Sequence, residues 1–380
     1  MIRHYPPHFE TRRLLLLATL LLLLPAAPLS FSQTEPSSPP PAPTPAAEPP
    51  PAAPSWSPPA MEALEASRKN DFKKAFQISS KGAADGDKDC QFFLGRMFEN
   101  GWGTKADPAK AVENYRLASE AGQLEAKANW ARCLEAGIGG KPDPEKADFL
   151  WQQAAEAGFP AAQSRMGILE VEAIRRPKND IAAREWFEKA AAQGEPGALF
   201  RLAQCYQNGW GGVNKDAPKA LEYALKAANG GNLDAINLVG MFYLHGYGMR
   251  QDKVAAAGWF NFAAQYEHPA AMTNLGQCYE AGQGVKPNAE TAAKLFAAAA
   301  KQNDAVGCLC LGRCFLEGRG VPKNPVYAYV NVTRSVDLGF KGAEKQQGEI
   351  KALLTSKQIK EAESLLKGIR DATASAAKSP

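Results

Sequence analysis

The sequence predicts an all-α fold, a right-handed superhelical solenoid of antiparallel helix pairs. Eight Asp or Asn residues each stand four positions before an alanine, at steps of 36 residues except for one step of 37. An Asp or Asn side chain accepts a hydrogen bond from the free backbone N–H groups of a helix's first turn, so each predicts a helix start. Caps recurring at one period indicate one helical unit copied along the chain, whose apolar faces are buried by stacking on neighbouring units. The eight caps are Asp71, Asp107, Asp143, Asn179, Asp216, Asp252, Asn288 and Asn324.

The helix before each cap, called here the first helix of a unit, carries a small residue in the same phase, which lets the two helices of a unit approach closely. These small residues are Gly95, Ala131, Gly167, Ala203, Gly240, Gly276 and Gly312. Most first helices end at a Gly-x-Gly turn, because glycine tolerates the positive φ that a chain reversal needs. The capped second helix is expected to bury an aromatic side chain, at Trp151, Trp186, Tyr223, Trp259 or Phe296.

The unit at residues 270–301 resembles the Sel1-like repeat family, a relative of the tetratricopeptide repeats. The family pattern is met at Leu275-Gly276, Tyr279, the turn 282–285 and Asn288. The same phase gives seven full units over residues 88–340 and a partial first unit at 61–87. The pattern departs at residues 174–177, which replace a glycine turn, and at Glu267 and Asn303, which replace closing glycines.

Residues 1–32 read as a signal peptide, because basic residues precede an 11-residue run, Leu14–Leu24, that contains nine leucines. A run this short is more typical of a signal peptide than of a bilayer span, which needs about 20 residues. The chain is therefore expected to be exported, to the periplasm of a Gram-negative-type bacterium; the alternative is an inner-membrane anchor at residues 14–29. Residues 33–60 form a linker, with twelve prolines among the 27 residues from Thr34 to Ala60, that is expected to be extended. Trp56 within it is expected to face solvent or to dock loosely.

Residues 341–380 are expected to form a terminal cap helix and a disordered tail. Thr355 to Gln358 reads as a capping box. The helix that follows carries one apolar stripe, expected to cover the last unit, and the tail is expected to begin at about Asp371. The stripe consists of Ile359, Ala362, Leu365, Leu366 and Ile369.

The formal net charge is +4, and removal of residues 1–32, which carry three arginines and one glutamate, leaves +2. Because the charge is low and no basic cluster occurs, nucleic acid is not expected as a partner. The sequence has seven cysteines, four of which are expected to be mostly small, buried apolar residues. The four share one register position, and equivalent positions in stacked helices lie about 10 Å apart, too far for a disulfide. These four are Cys133, Cys205, Cys278 and Cys314.

The sequence carries few candidates for catalytic, metal-binding or cofactor-binding residues. His245 and His268, the two histidines of the folded part, have no ligand-spaced partner and are expected at the surface or in turns. Two S-x-x-K matches near the C-terminus lack their companion motifs. No catalytic, cofactor or metal residue is therefore predicted.

The first helices are expected to line an extended concave surface, by analogy with related repeats. Arg, Asn and Gln donors at the position after the small residue, and three positions earlier, are expected to bind carbonyl or carboxylate groups of a protein or peptide partner. The resemblance implies a non-catalytic interaction scaffold. The alternative is an enzyme that acts on cell-wall or β-lactam-like substrates, which the resemblance to some exported family members implies. A membrane is a partner only if the N-terminal segment stays uncleaved. The predicted partner-binding residues are Arg96, Asn129, Arg132, Arg165, Arg201, Gln204, Asn274, Gln277 and Arg313.

Overall fold

The structure, a computed structural model, describes residues 56–173 and 177–376, with the backbone alone at 374–376. The predicted signal peptide and most of the predicted linker lie outside these residues. Helices and turns make up the whole of the described chain, and no strand occurs in it. None of its helices is both long enough and apolar enough to cross a bilayer.

Sixteen helices form eight consecutive pairs, which confirms the prediction of an all-α helical repeat. The first helices are α1 (Pro58–Arg68), α3 (Lys88–Asn100), α5 (Leu124–Ala136), α7 (Pro160–Glu172), α9 (Pro196–Asn208), α11 (Leu233–His245), α13 (Pro269–Ala281) and α15 (Ala305–Glu317). The second helices are α2 (Phe72–Ala84), α4 (Pro108–Glu120), α6 (Pro144–Glu156), α8 (Asp180–Ala191), α10 (Ala217–Asn229), α12 (Lys253–Gln265), α14 (Ala289–Lys301) and α16 (Pro325–Asp337). The pair α1–α2 is the partial unit, and repeats 1 to 7 begin with α3, α5, α7, α9, α11, α13 and α15.

Backbone contacts divide the described chain into two bodies. The N-terminal body comprises residues 56–239 and 247–249, and the C-terminal body comprises residues 240–246 and 250–376. Within the N-terminal body α1 contacts α3, and within the C-terminal body α13 contacts α15, so first helices of successive repeats touch.

All eight predicted caps are present. In each, the Asp or Asn side chain accepts a hydrogen bond from a backbone N–H two or three residues further on, as Asp107 does from Lys110 at 3.1 Å. The backbone N–H of the cap also bonds back to the end of the first helix, as when Asp107 donates to the Phe98 carbonyl at 2.8 Å. Each loop is thus closed at its capped end by bonds in both directions.

A second cap series, which the sequence analysis missed, starts the first helices. Its members lie directly after the closing residue of the preceding unit, and most accept a backbone N–H through the side chain. His268 belongs to it, because its Nδ1 accepts from the Ala271 N–H at 3.2 Å. The capping residues of this series are Asp87, Gln123, Glu195, Asn232, His268 and Asp304.

Where the small residue of a first helix is glycine, a side chain from the second helix of the same repeat packs against it. A Cβ added to Gly276 would lie 2.6 Å from Cε1 of Phe296, which is fully buried. The inserted side chain comes from the eighth position after the cap. Trp186 and Tyr223 are seventh and only half-buried, so their predicted burial is wrong; in repeat 3 the buried ring is that of Phe187.

The second glycine of the turn lies against the preceding second helix. A Cβ at Gly139 would stand 2.5 Å from the Pro108 carbonyl oxygen, and one at Gly248 would stand 2.5 Å from that of Ala217. Both contacted residues are the first after a cap. The turns therefore join consecutive repeats as well as reversing the chain.

The irregular third repeat keeps the common helices. Its first helix ends at Ala173 with φ of 53°, and the Asn179 N–H still bonds to the Glu170 carbonyl at 3.0 Å. Glu267 and Asn303, which replace closing glycines, have φ of 59° and 61°, so they adopt the left-handed conformation that glycine has elsewhere.

The C-terminal residues add a 3-10 turn (Lys341–Ala343) and two helices, α17 (Glu344–Ala352) and α18 (Ser356–Ala376), of which α17 was not predicted. The capping box is present, since the Thr355 N–H donates to Gln358 Oε1 at 2.9 Å and the Gln358 N–H to Thr355 Oγ1 at 3.3 Å. The predicted stripe of α18 packs on a core shared with α16. The helix continues through Ala376, past Asp371, where the tail was predicted to begin.

Candidate functional site

The nine predicted partner-binding residues all lie on first helices, and each is exposed or half-buried. We call the surface that they mark the first-helix face, and describe it separately in each body. The N-terminal body carries Arg96, Asn129, Arg132, Arg165, Arg201 and Gln204; the C-terminal body carries Asn274, Gln277 and Arg313.

Glu99 connects two repeats through its carboxylate. Oε2 accepts a hydrogen bond from the Tyr115 hydroxyl at 2.6 Å, and Oε1 is bonded to Nη2 of Arg132 at 2.6 Å. Burial, and next the charge of Glu99, raise the pKa of Tyr115, so the hydroxyl remains protonated and donates. Burial acts to lower the pKa of Arg132, but the charge and hydrogen bond of Glu99 outweigh it and raise this pKa. Arg132 is thus engaged within the protein.

Arg165 is engaged in the same way one repeat further on. Its Nη2 pairs with Oε1 of Glu135, and its Nη1 lies 3.4 Å from Oε2 of Glu172. The Arg165 and Glu135 side chains are each 23% exposed. Two of the predicted donors, Arg132 and Arg165, therefore fix the spacing of consecutive first helices.

Arg96 packs against an aromatic ring. Its guanidinium carbon lies 5.5 Å from the ring centre of Trp102, which itself stacks on Phe72 with centroids 6.0 Å apart. Trp102 thus packs against the first residue of α2. Burial raises the pKa of Glu125 in the next repeat, against the lowering effect of the Arg96 charge.

The one side-chain hydrogen bond described for the donors of repeat 4 joins them to each other, and the Arg201 guanidinium carbon lies 6.0 Å from the ring centre of Phe200. Nη1 of Arg201 donates to Oε1 of Gln204 at 3.1 Å, and Arg201 is exposed. The turn that ends this helix carries Trp210, whose side chain is 54% exposed. Repeat 4 therefore presents a guanidinium, a carboxamide and an aromatic ring to solvent.

In the C-terminal body the predicted donors are less grouped. Nε of Arg313 donates to Oε1 of Gln346 in α17 at 3.1 Å, and both groups are solvent-accessible. Nε2 of Gln277 lies 3.8 Å from Sγ of Cys310 in the next first helix. Asn274 is half-buried and has a partner of its own.

The seven cysteines are buried and carry free thiols. Burial raises the pKa of the Cys133, Cys205, Cys278 and Cys308 thiols to about 11 and that of Cys314 to about 12. In the described ranges no group of three His, Cys, Asp or Glu side chains is placed to hold a metal ion. The thiols pack as small apolar groups.

The sequence analysis missed Glu99 and Glu135, the carboxylates that pair with Arg132 and Arg165. Both stand four positions after the small residue of a first helix, at Gly95 and Ala131, and three after the predicted arginine position. Their recurrence at a step of 36 residues is the signal that could have identified them.

Comparison with known proteins agrees with this geometry. The Sel1 repeat family pattern matches residues 88–123, 124–159, 160–195, 196–232, 233–265, 269–304 and 306–340. The chain belongs to the Sel1 repeat family. Proteins built from Sel1 repeats generally mediate protein–protein interactions.

Two solved Sel1-type structures resemble the chain. One is a protective antigen, c5321, of uropathogenic Escherichia coli strains, with a TM-score of 0.67 and 27% identity, covering 81% of this chain and 67% of the antigen. The other is a Sel1 repeat protein from Oxalobacter formigenes, with a TM-score of 0.53 and 29% identity, covering 77% of this chain and 85% of that protein.

A curated relative is an uncharacterized protein of Neisseria meningitidis serogroup B, which is 27% identical over 195 residues. The match covers 51% of this chain and 33% of the relative, so the chain spans about a third of the relative's length.

Proposed function

We propose that this Sel1 repeat protein is an exported, non-catalytic scaffold that binds a protein partner through its first-helix face. The observation that carries the proposal is that the donors on that face fall into two groups, one bonded to neighbouring repeats and one at the surface. Arg132 and Arg165 are held by carboxylates of neighbouring repeats, whereas Arg201 and Gln204 bond to each other at the surface. Exchange of that single mutual bond for bonds to a partner's carbonyl or carboxylate groups leaves the repeat spacing unchanged.

Export is the second part of the proposal, and the leucine run 14–24 after Arg12 and Arg13 supports it. Fractionation of the producing bacterium is expected to place a processed chain in the periplasm. Unprocessed chain that is soluble in the cytoplasm would contradict export. Full-length chain in the membrane fraction would instead favour an anchor at residues 14–29.

The binding surface is tested by crosslinking in vivo followed by purification of the protein. The test variant replaces Arg96, Arg201, Gln204 and Arg313 with Glu. Arg132 is left intact because its replacement also breaks the bond to Glu99. The variant is expected to lose the crosslinked partner while its helical circular dichroism stays unchanged, because exposed substitutions shift stability by only about 0.5 kcal/mol each.

A matched control makes the same changes of residue class on second helices, where three exposed lysines and one exposed glutamine are available: Gln152, Lys189, Lys226 and Lys294. This variant is expected to retain the partner. Retention of every crosslink by the first-helix variant would contradict the assigned surface. Turnover of a cell-wall precursor or of nitrocefin by the purified protein would contradict the non-catalytic role.

A further inference from the structure

The chain's own residue Trp56, the first that the structure describes, packs onto the first-helix face of repeat 1. Its ring lies 5.9 Å from that of Phe92 in an edge-on arrangement and 6.1 Å from that of Phe93, centroid to centroid. Phe93 is only 1% exposed. Trp56 is therefore packed against α3. The sequence analysis had expected it to face solvent or to dock loosely.

The next residue adds a main-chain bond. The Ser57 N–H donates to Oδ2 of Asp89 at 2.9 Å, and Asp89 is 7% exposed. The buried carboxylate of Asp89 on α3 thus accepts a hydrogen bond from the Ser57 backbone. The Trp56 ring, one residue earlier, packs on the same helix. This combination of a backbone bond and a side-chain contact is how a peptide is held on a binding surface.

The register of these contacts matches the proposed binding surface. Phe93 stands two positions before the small residue Gly95, and the equivalent position holds polar donors in the following repeats: Asn129, Arg165 and Arg201. Trp56, two residues before the start of α1 at Pro58, lies against α3.

We propose that the proline-rich segment 33–55 of the same chain docks on the first-helix face of the N-terminal body, along α3, α5, α7 and α9. This inference rests on the proposed function, because it assigns an occupant to the same surface. The segment then competes in cis with the protein partner.

The chemistry of the segment complements that of the face. Ten of its 23 residues are prolines, which have no N–H, so its backbone offers carbonyl acceptors in excess of donors. Its two charged side chains are Glu35 and Glu48, and it has no Lys or Arg. The face presents guanidinium and carboxamide donors, and among the described residues neither Arg96 nor Arg201 lies within salt-bridge distance of a carboxylate, although the Arg96 charge acts on Glu125.

The length of the segment and an unpaired polar atom agree with this path. At about 3.1 Å per residue in the polyproline conformation, 23 residues span about 70 Å, whereas neighbouring helices lie about 10 Å apart. Nε1 of Trp56 is buried and has no hydrogen-bond partner in the part of the chain that the structure describes. A carbonyl of the preceding segment is the group that would satisfy it.

The experiment places the photocrosslinker p-benzoylphenylalanine at Ala46, between prolines in the middle of the segment, in the full chain. After irradiation of dilute protein, mass spectrometry of the peptides is expected to find crosslinks within one chain to α5, α7 or α9. A probe at the exposed second-helix position Glu222 serves as control and is expected not to reach these helices. Combining the Ala46 probe with Trp56→Ala, or with Arg96→Glu and Arg201→Glu, is expected to lower the yield about tenfold, the effect of losing about 1.4 kcal/mol.

Three outcomes would overturn the proposal: no intramolecular crosslink, crosslinks spread equally over second helices, or crosslinks only between chains, which would make a second copy the occupant. The partner-capture experiment is read separately. Capture without the Ala46 crosslink refutes docking of the segment and leaves the proposed function intact. The crosslink without capture supports docking, and it counts against the proposed function only when the Trp56→Ala chain, whose segment is released, also captures no partner.

Discussion

Gly284, the second glycine of the turn after α13, lies against the backbone carbonyl of Lys253, the first residue of α12. A Cβ at this position would overlap the carbonyl group, and the φ of 73° is itself in the region that favours glycine. The contact joins the start of one repeat's second helix to the turn of the next repeat.

We predict that Gly284→Ala lowers the free energy of unfolding by about 2–4 kcal/mol, because left-handed strain and overlap with backbone add together. Urea denaturation followed by circular dichroism measures the loss. Gly122→Ala is the matched control for strain alone, since φ is 86° there and a Cβ would meet nothing within 4 Å; its expected cost is about 1–2 kcal/mol. Gly258→Ala has neither problem and is expected to be neutral or stabilising. Equal costs for Gly284→Ala and Gly122→Ala would refute the inter-repeat contact.

The packing of Phe296 into the space left by Gly276 gives a second prediction. Phe296 is fully buried, so Phe296→Ala is expected to cost about 3–5 kcal/mol, through lost burial and the cavity that remains. Phe149→Ala on α6 is the control; this ring is 60% exposed, and the expected change is within about 0.5 kcal/mol. The melting temperatures of both variants and of the parent protein test this prediction. Similar shifts in melting temperature for the two variants would count against the packing described.

Glu99 and Arg132 are expected to be coupled energetically. Glu99→Gln keeps an acceptor for the Tyr115 hydroxyl while it removes the charge that Arg132 pairs with, and Arg132→Met removes the other partner. A double-mutant cycle is expected to give a coupling energy of at least about 0.5 kcal/mol. Arg201→Met, whose side chain bonds only to Gln204 among the contacts described, is expected to be additive with Glu99→Gln. Additive effects of Glu99→Gln and Arg132→Met would show that the ion pair does not hold the repeats.

The buried thiols predict lower stability in alkali. Folding raises the thiol pKa from the ordinary 9.0 to about 11 for Cys133 and Cys278, because burial disfavours the thiolate. Above pH 9 the unfolded chain releases protons that the folded chain retains, so the free energy of unfolding falls until the folded pKa near 11 is passed. Urea midpoints at pH 7.5, 9 and 10.5 test this, and a midpoint that stays constant or rises would contradict it. At pH 8 the native thiols are expected to react with Ellman's reagent far more slowly than those of the urea-unfolded protein.

The local signals in the sequence were sufficient for most of the fold. The caps at Asp71 to Asn324 were found because Asp and Asn are strong N-caps and their spacing is constant. The caps of the first helices were missed as a series, because weaker or unusual caps at Gln123, Glu195 and His268 interrupt it, and only their phase after the closing residue of the preceding unit identifies them.

The first-helix face was only partly predictable, for a different reason. Periodicity placed Arg132 and Arg165 on the correct helices. It did not show that each meets a carboxylate, because Glu99 and Glu135 lie 33 and 30 residues earlier and become neighbours only when repeats stack. The register of the buried rings was likewise ambiguous by one position until the helices were packed, which is why Trp186 was preferred to Phe187.

The single 37-residue step marks where the chain tolerates extra length. The turn of repeat 4 contains one more residue than the regular turns; Gly212 has φ of 78°, and the Asp216 N–H still reaches the Tyr206 carbonyl at 2.9 Å. The added residue is accommodated in the loop, and both adjoining helices keep 13 residues. The segment between Gly212 and Asp216 is thus a natural insertion point for an epitope tag or a fluorescent label that reports on this protein in the living cell.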